Sequence, residues 1–291
     1  MAVALCAGAR PDAPPRGASW ALIVLMACLW SALAAAPAAA QSQPITPAQP
    51  CTPIRNLTNL PGVGVRGITN QPVLSSNGAR VAFWSSNDLQ PGRNVDGNLE
   101  IFVQDTAGSA KVQLTDSLGS ILGGFNLAPA INQAGAQVVF YSDRDLLKNG
   151  RNRDGNFEIF LASLTGGQWE ITQITDTRGS ANLFPSISAD GTRIAFVSDD
   201  ANLHNVDATR SNPDRNFEIM LATVSGGQAS FRQVTDTPLG TTNDAPSISD
   251  SGTRIAFASG SGQDVQIFVW DAAGGAPIRL TETGINEQPA I

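Results

Sequence analysis

The chain has 291 residues, 42% of them hydrophobic and 15% charged, a balance that describes a globular protein and excludes a disordered one. Its 18 basic and 25 acidic residues leave a net charge of -7, which repels phosphate backbones and anionic lipid, so nucleic acid is not expected as a partner. The 28 glycines and 18 prolines are frequent enough to punctuate many short elements but lack the strict period of collagen.

Residues 1–40 read as a secretory signal peptide. Arg10 and Arg16 precede an apolar run from Trp20 to Ala36, which ends in the small residues that permit cleavage after Ala40. An uncleaved N-terminal anchor is the alternative, and a lipoprotein reading at Cys28 is weaker because that cysteine lies inside the apolar run. No later segment is long and apolar enough to span a bilayer, so a mature chain without a membrane span is expected in the periplasm or outside the cell. Residues 41–53 form a Pro-rich linker carrying Cys51, which is the single cysteine left after processing and excludes an intramolecular disulfide. The linker is read as a tether, with an intermolecular bridge as the alternative.

From Ile54 the sequence becomes repetitive. Ile54-Arg-Asn-Leu-Thr58 matches the last strand of a unit whose first three strands are missing. Four complete units follow, opening on Gln71-Pro72, Ala128-Pro129, Phe184-Pro185 and Ala245-Pro246, with periods of 57, 56 and 61 residues between the prolines. Each unit predicts four strands. The first runs into a turn at Asn77-Gly78, Asp190-Gly191 or Ser251-Gly252, whose residues tolerate the positive φ of a tight hairpin. The second, such as Arg193-Ile-Ala-Phe-Val-Ser198, is too short for a helix, rich in β-branched and aromatic residues, and apolar at nearly every position, as a sheet covered on both faces requires. The third is Glu-Ile-Phe in type and the fourth ends in Gln-Leu-Thr-Asp or a variant of it. Gln288-Pro289-Ala290-Ile291 begins a fifth unit.

The recurring Pro-Ser-Ile-Ser, Asp-Gly, Arg-Ile-Ala-Phe, Glu-Ile-Phe and Gln-Val-Thr-Asp segments resemble the TolB-like WD-type propeller repeat over residues 54–291. The resemblance implies an all-β fold, a β-propeller of four-stranded antiparallel blades, with four complete blades and orphan strands at both ends. Truncation from a larger ring is the expectation for those orphans; a four-bladed ring with a makeshift closing segment and an open arc are the alternatives. The separate N-terminal domain of TolB has no counterpart in this sequence.

Catalytic side chains are scarce, with one His and one Tyr. His204 sits in the longest connection between second and third strands and is read as a surface residue, and Tyr141 lies inside a strand where it is not free as a nucleophile. No Gly-x-Ser-x-Gly segment occurs, so no enzyme activity is expected. The recurrent chemistry is an acidic-amide cluster before each third strand: Asp96, Asn98 and Glu100; Asp154, Asn156 and Glu158; Asp214, Asn216 and Glu218. Alternate residues of an extended segment share a side, so three oxygens per cluster are candidate ligands for Ca²⁺. The alternative is structural, with Asp and Asn shaping the turn and Glu bonding a neighbouring blade. No cofactor other than calcium is suggested. Phe83, Phe140, Phe196 and Phe257 with Ile101, Ile159, Ile219 and Ile267 are expected in the core; Trp84 and Trp270 are read as filling between blades, with a binding surface as the alternative.

The long connections Ser86–Asn98, Asp143–Asn156 and Asp199–Asn216, together with those between fourth and first strands, are expected to form one recognition face. The functional expectation is a non-enzymatic scaffold that binds a protein partner in the cell envelope. An accessory propeller of a carbohydrate-active or hydrolytic enzyme, whose catalytic part is missing, is the alternative.

Overall fold

The computed structural model describes residues 57, 67–108, 110–119, 124–203 and 211–291. The chain divides into two units, Met1–Asn56, which lies outside the described residues, and Leu57–Ile291. The expected signal peptide, the linker with Cys51, and His204 therefore all lie outside the described residues, as does the orphan strand apart from Leu57.

Among its described residues the second unit contains four antiparallel sheets, each of four strands in sequence order, which gives the expected all-β blades. Blade one comprises β1 (Thr69–Leu74), β2 (Arg80–Ser85), β3 (Glu100–Asp105) and β4 (Lys111–Gln113). Blade two comprises β5 (Asn126–Ile131), β6 (Gln137–Ser142), β7 (Glu158–Thr165) and β8 (Gln168–Gln173). Blade three comprises β9 (Asn182–Ile187), β10 (Arg193–Ser198), β11 (Glu218–Ser225) and β12 (Gln228–Gln233). Blade four comprises β13 (Thr242–Ile248), β14 (Arg254–Ser261), β15 (Asp264–Asp271) and β16 (Ile278–Arg279).

Each first hairpin closes as its sequence demands. Backbone bonds Gly78 N to Ser75 O, Gly191 N to Ser188 O and Gly252 N to Ser249 O form the turns, and each of those glycines takes a left-handed φ, at 70°, 74° and 69°. A side chain would be strained at that φ, which is why the turn is written with glycine.

The apolar second and third strands are sandwiched between sheets. Ala82, Ile101 and Val103 of blade one meet Ile131, Val138, Phe140 and Phe160 of blade two. Val139, Ile159, Leu161 and Ile174 of blade two meet Ile187, Ile194, Phe196 and Met220 of blade three. Val197, Ile219, Leu221 and Val234 of blade three meet Ile248, Ile255, Phe257 and Trp270 of blade four. Each fully buried side chain of this size contributes about 1.5–3 kcal/mol. Leu57 packs with Val81, Phe83 and Phe102 on the other side of blade one. Seven of the eight predicted core residues are fully buried; Ile267 is only half-buried. Trp270 is in the core, and Trp84 packs between blades one and two while its indole N–H donates to the Gln71 side chain at 2.8 Å.

Candidate functional site

The acidic-amide clusters sit where one blade hands over to the next. The Glu100 carboxylate accepts the Ser117 backbone N–H and hydroxyl, both at 2.8 Å, through one oxygen and the Asn126 amide of blade two at 3.2 Å through the other. Glu158 does the same with Thr177, at 2.6 and 2.8 Å, and with Asn182 of blade three. Glu218 repeats it with Thr237 and with Asn243 of blade four. Asn98, Asn156 and Asn216 donate to the same hydroxyls, those of Ser117, Thr177 and Thr237. Each junction is thus a buried carboxylate surrounded by neutral donors, a strong hydrogen-bonding arrangement. Burial pushes the Glu100 and Glu158 carboxyls above the usual carboxylate range, and the hydroxyl and amide donors offset part of that rise.

The expected convergence of all three side chains is only partial. Asn and Glu enter the buried network, whereas Asp96 and Asp154 stay exposed and accept the backbone N–H of Gly119 and Gly179. Arg215, which replaces the glycine of the other clusters, takes a φ of 56°. Among the described residues, no three His, Cys, Asp or Glu side chains gather as a metal-holding group. The side-chain carbonyl oxygens of Asn98, Asn126, Asn156, Asn182, Asn216 and Asn243 are buried without a hydrogen-bond partner. Those oxygens, and not the exposed Asp carboxylates, are what a buried cation at a junction would use.

The same contacts build a rim. The Asp88 carboxylate accepts the backbone N–H groups of Gly92, Arg93 and Asn94, and buried Asn94, Asn152 and Asn212 each donate to the backbone carbonyl four residues on. The connection between second and third strands is then tied to that between fourth and first strands by Arg93–Asp116 at 3.5 Å and Arg151–Asp176 at 2.9 Å. Arg215 of blade three reaches the Gly179 carbonyl and Ser180 hydroxyl of the preceding connection. The two sets of connections expected to share a face are therefore cross-linked along one rim.

A second feature was not read from the sequence. A cavity of about 760 Å³ is lined by the first strands of all four blades and by Glu287, Gln288 and Pro289. Around it Gln71, Ala128, Phe184, Ala245 and Gln288, each followed by proline, take left-handed φ values of 48–55°. The first four interrupt the pairing of their strands as bulges. Non-glycine residues in this region, and before proline, are strained, and they are held by side-chain acceptors such as Asn70 for Gln71 and Asp244 for Ala245. The repeated prolines were the available signal, but Gln, Ala, Phe, Ala and Gln before them share no property that announces the conformation.

No protein-family description matches the chain, and no curated protein does. Among solved structures, the putative TolB from Agrobacterium tumefaciens is similar at 20% identity, with 75% of this chain and 68% of that chain covered and a TM-score of 0.49. TolB from Acinetobacter baumannii is similar at 17% identity, covering 78% of this chain and 58% of that one, with a TM-score of 0.35. A puromycin-hydrolyzing peptidase of Mycobacterium tuberculosis is similar at 15% identity, with 73% of this chain and 30% of that chain covered and a TM-score of 0.46. The chain spans less than two thirds of the Acinetobacter and Mycobacterium proteins. Four sequential antiparallel sheets of four strands, whose four Pro-marked first strands line one cavity, give the chain the bladed, all-β architecture of a β-propeller.

Proposed function

We propose that this chain is an exported, non-catalytic propeller that binds a protein partner in the cell envelope through the rim formed by its second-to-third and fourth-to-first connections. The observation that supports the reading is the tethering of that rim. Loops that bind on a rigid scaffold lose little entropy on association, and here buried Asn94, Asn152 and Asn212 fix each loop base while Arg93 and Arg151 cross to the neighbouring connection. Polar loop atoms spent internally leave the outward side chains to set specificity.

The test is capture from an envelope extract of the source cells, using the chain from Gln41 onward and a variant in which exposed Val95, Leu118, Arg153, Arg178 and Leu239 are all replaced by serine. The reading expects a discrete protein partner that the variant loses while its melting temperature is unchanged. A partner retained equally by both chains sinks the rim assignment. Export itself predicts that fractionated cells yield a chain whose first residue is Gln41.

A further inference from the structure

The three covered junctions allow the rim to be compared with itself. Blades one to three each carry two outward stations, one just before the cluster Asp and one just before the glycine of the fourth-to-first connection. The bond from the Gly119 N–H to Asp96 at 3.0 Å sets them together in blade one, and that from the Gly179 N–H to Asp154 at 3.1 Å does so in blade two. Beneath them the Asn, Glu and hydroxyl residues do not vary in role from blade to blade. The stations do. Blade one carries Val95 and Leu118, which are 81% and 84% exposed. Blade two carries Arg153 and Arg178. Blade three carries Pro213 and, before Gly240, Pro238 with Leu239, which is 74% exposed.

Folding does not call for these choices, because side chains so exposed pack against little. The arginines of blade two line a cavity of about 530 Å³ with Gly150, Arg151, Asp154 and Asp176. Arg151 is paired with Asp176 at 2.9 Å, and Asp154 accepts the Gly179 N–H. Arg153 and Arg178 form no salt bridge among the described residues, and with three arginines against two aspartates the cavity keeps an excess of positive charge on a chain whose net charge is -7.

Resting on the rim reading above, we propose that blade two binds a carboxylate of the partner protein between Arg153 and Arg178, while apolar side chains flanking that carboxylate meet Val95 and Leu118 on one side and Leu239 on the other. A planar guanidinium matches a carboxylate through paired N–H donors, and two of them define a direction as well as a charge. Asp154 and Asp176 in the same cavity disfavour the denser charge of a phosphate, and the overall negative charge repels polyanions and anionic membranes. The apolar stations on either side suit a polypeptide with apolar residues two positions before and two positions after an acidic one, since alternate residues of an extended segment share a side.

The probes are two fluorescent pentapeptides, Leu-Ser-Glu-Ser-Leu and Leu-Ser-Gln-Ser-Leu, titrated against the chain from Gln41 onward. The glutamate peptide is expected to bind at least tenfold more tightly than its neutral counterpart and to weaken as salt is raised. In the double variant Arg153→Glu and Arg178→Glu, with melting temperature unchanged, that preference should vanish and the pentapeptide Leu-Ser-Lys-Ser-Leu should bind instead. Equal binding of the two peptides, no binding of either, an unaffected charge-reversal variant, or preference for phosphatidylglycerol vesicles over the peptide would each overturn the proposal. Should envelope capture depend on the rim while the peptides ignore the arginines, only this ligand chemistry fails; capture that ignores the rim removes the broader reading as well.

Discussion

Blades one to three meet the next blade through a buried carboxylate, whereas blade four carries an amide at the equivalent position. Glu100, Glu158 and Glu218 need only donors, and a Ser or Thr of the following connection and an Asn of the next blade provide them. Gln266 brings an N–H₂ of its own, which donates to the Gly284 carbonyl, while its oxygen accepts the Thr281 hydroxyl and the Asn286 amide. Burial differs in parallel. Ile174 and Val234 are 6% and 3% exposed beneath the next blade, but the equivalent Leu280 is 58% exposed. The strand patterns of the four blades are alike, so burial of a forward face is set by the sheet that follows and not by the strand's own sequence.

The largest test of that contrast is a matched pair of truncations. Ile174→Ala should cost about 2–4 kcal/mol, because it opens a cavity between two sheets, while Leu280→Ala should cost under about 0.5 kcal/mol. In a thermal melt the first should lower the midpoint by roughly 4–16 °C and the second should hardly move it. Equal shifts would erase the distinction between the blades.

The junctions come next. Glu158→Ala leaves the Thr177 N–H and the Asn182 amide without their acceptor, and should cost about 2–3 kcal/mol. Gln266→Ala, where the neighbouring groups are more exposed, should cost about 1 kcal/mol by denaturant titration.

A pH series sharpens the same comparison. Burial holds the Glu100 and Glu158 carboxyls above the ordinary 4.5, so the folded state binds those protons more tightly than the unfolded state does. Their contribution to stability is complete below 4.5 and is lost as pH rises through the raised folded value. Asp190, held down by the Ser188 hydroxyl, and Asp271, held down by the Ala273 N–H, act oppositely: their contribution is present above the ordinary 3.8 and is lost as pH falls through the lowered folded value. Glu158→Gln should therefore flatten the decline above pH 4.5 and leave the acid side unchanged. Blade four, already carrying Gln266, makes no contribution of the Glu kind.

The smallest expected effect is that of calcium. The junction carboxylates are occupied by hydrogen-bond donors, so millimolar Ca²⁺ or a chelator should leave the melting temperature unchanged. A rise with Ca²⁺ that disappears in Asn126→Ala would assign the unpaired amide oxygens to a cation.

The blades were legible in the sequence because their signals are local: Gly78, Gly191 and Gly252 mark turns, and Arg-Ile-Ala-Phe marks a strand covered on both faces. The rim was legible as a set of long polar connections between regular strands. The junction was legible as a cluster but not as a network, because its other members, Ser117 and Asn126 for Glu100, lie 17 and 26 residues away. They recur at the blade period, as Thr177 with Asn182 and Thr237 with Asn243, and could be found by aligning polar residues as well as apolar ones. Ile267 was read as core because its strand matches the others, and it is only half-buried because no fifth sheet covers blade four among the described residues. The left-handed residues before Pro72, Pro129, Pro185 and Pro246 had no readable signal, since proline ordinarily drives its predecessor to extended backbone.

Peptide-resolved hydrogen exchange on the chain from Gln41 onward addresses the central claim, that a scaffold locked between blades carries the proposed recognition rim. The account predicts that the amides of β3, β7 and β11, and the loop bases at Asn94 and Asn152, exchange far more slowly than those of β15 and β16. Protection of β15 and β16 equal to that of β7 and β11, or rapid exchange at the loop bases, would contradict it.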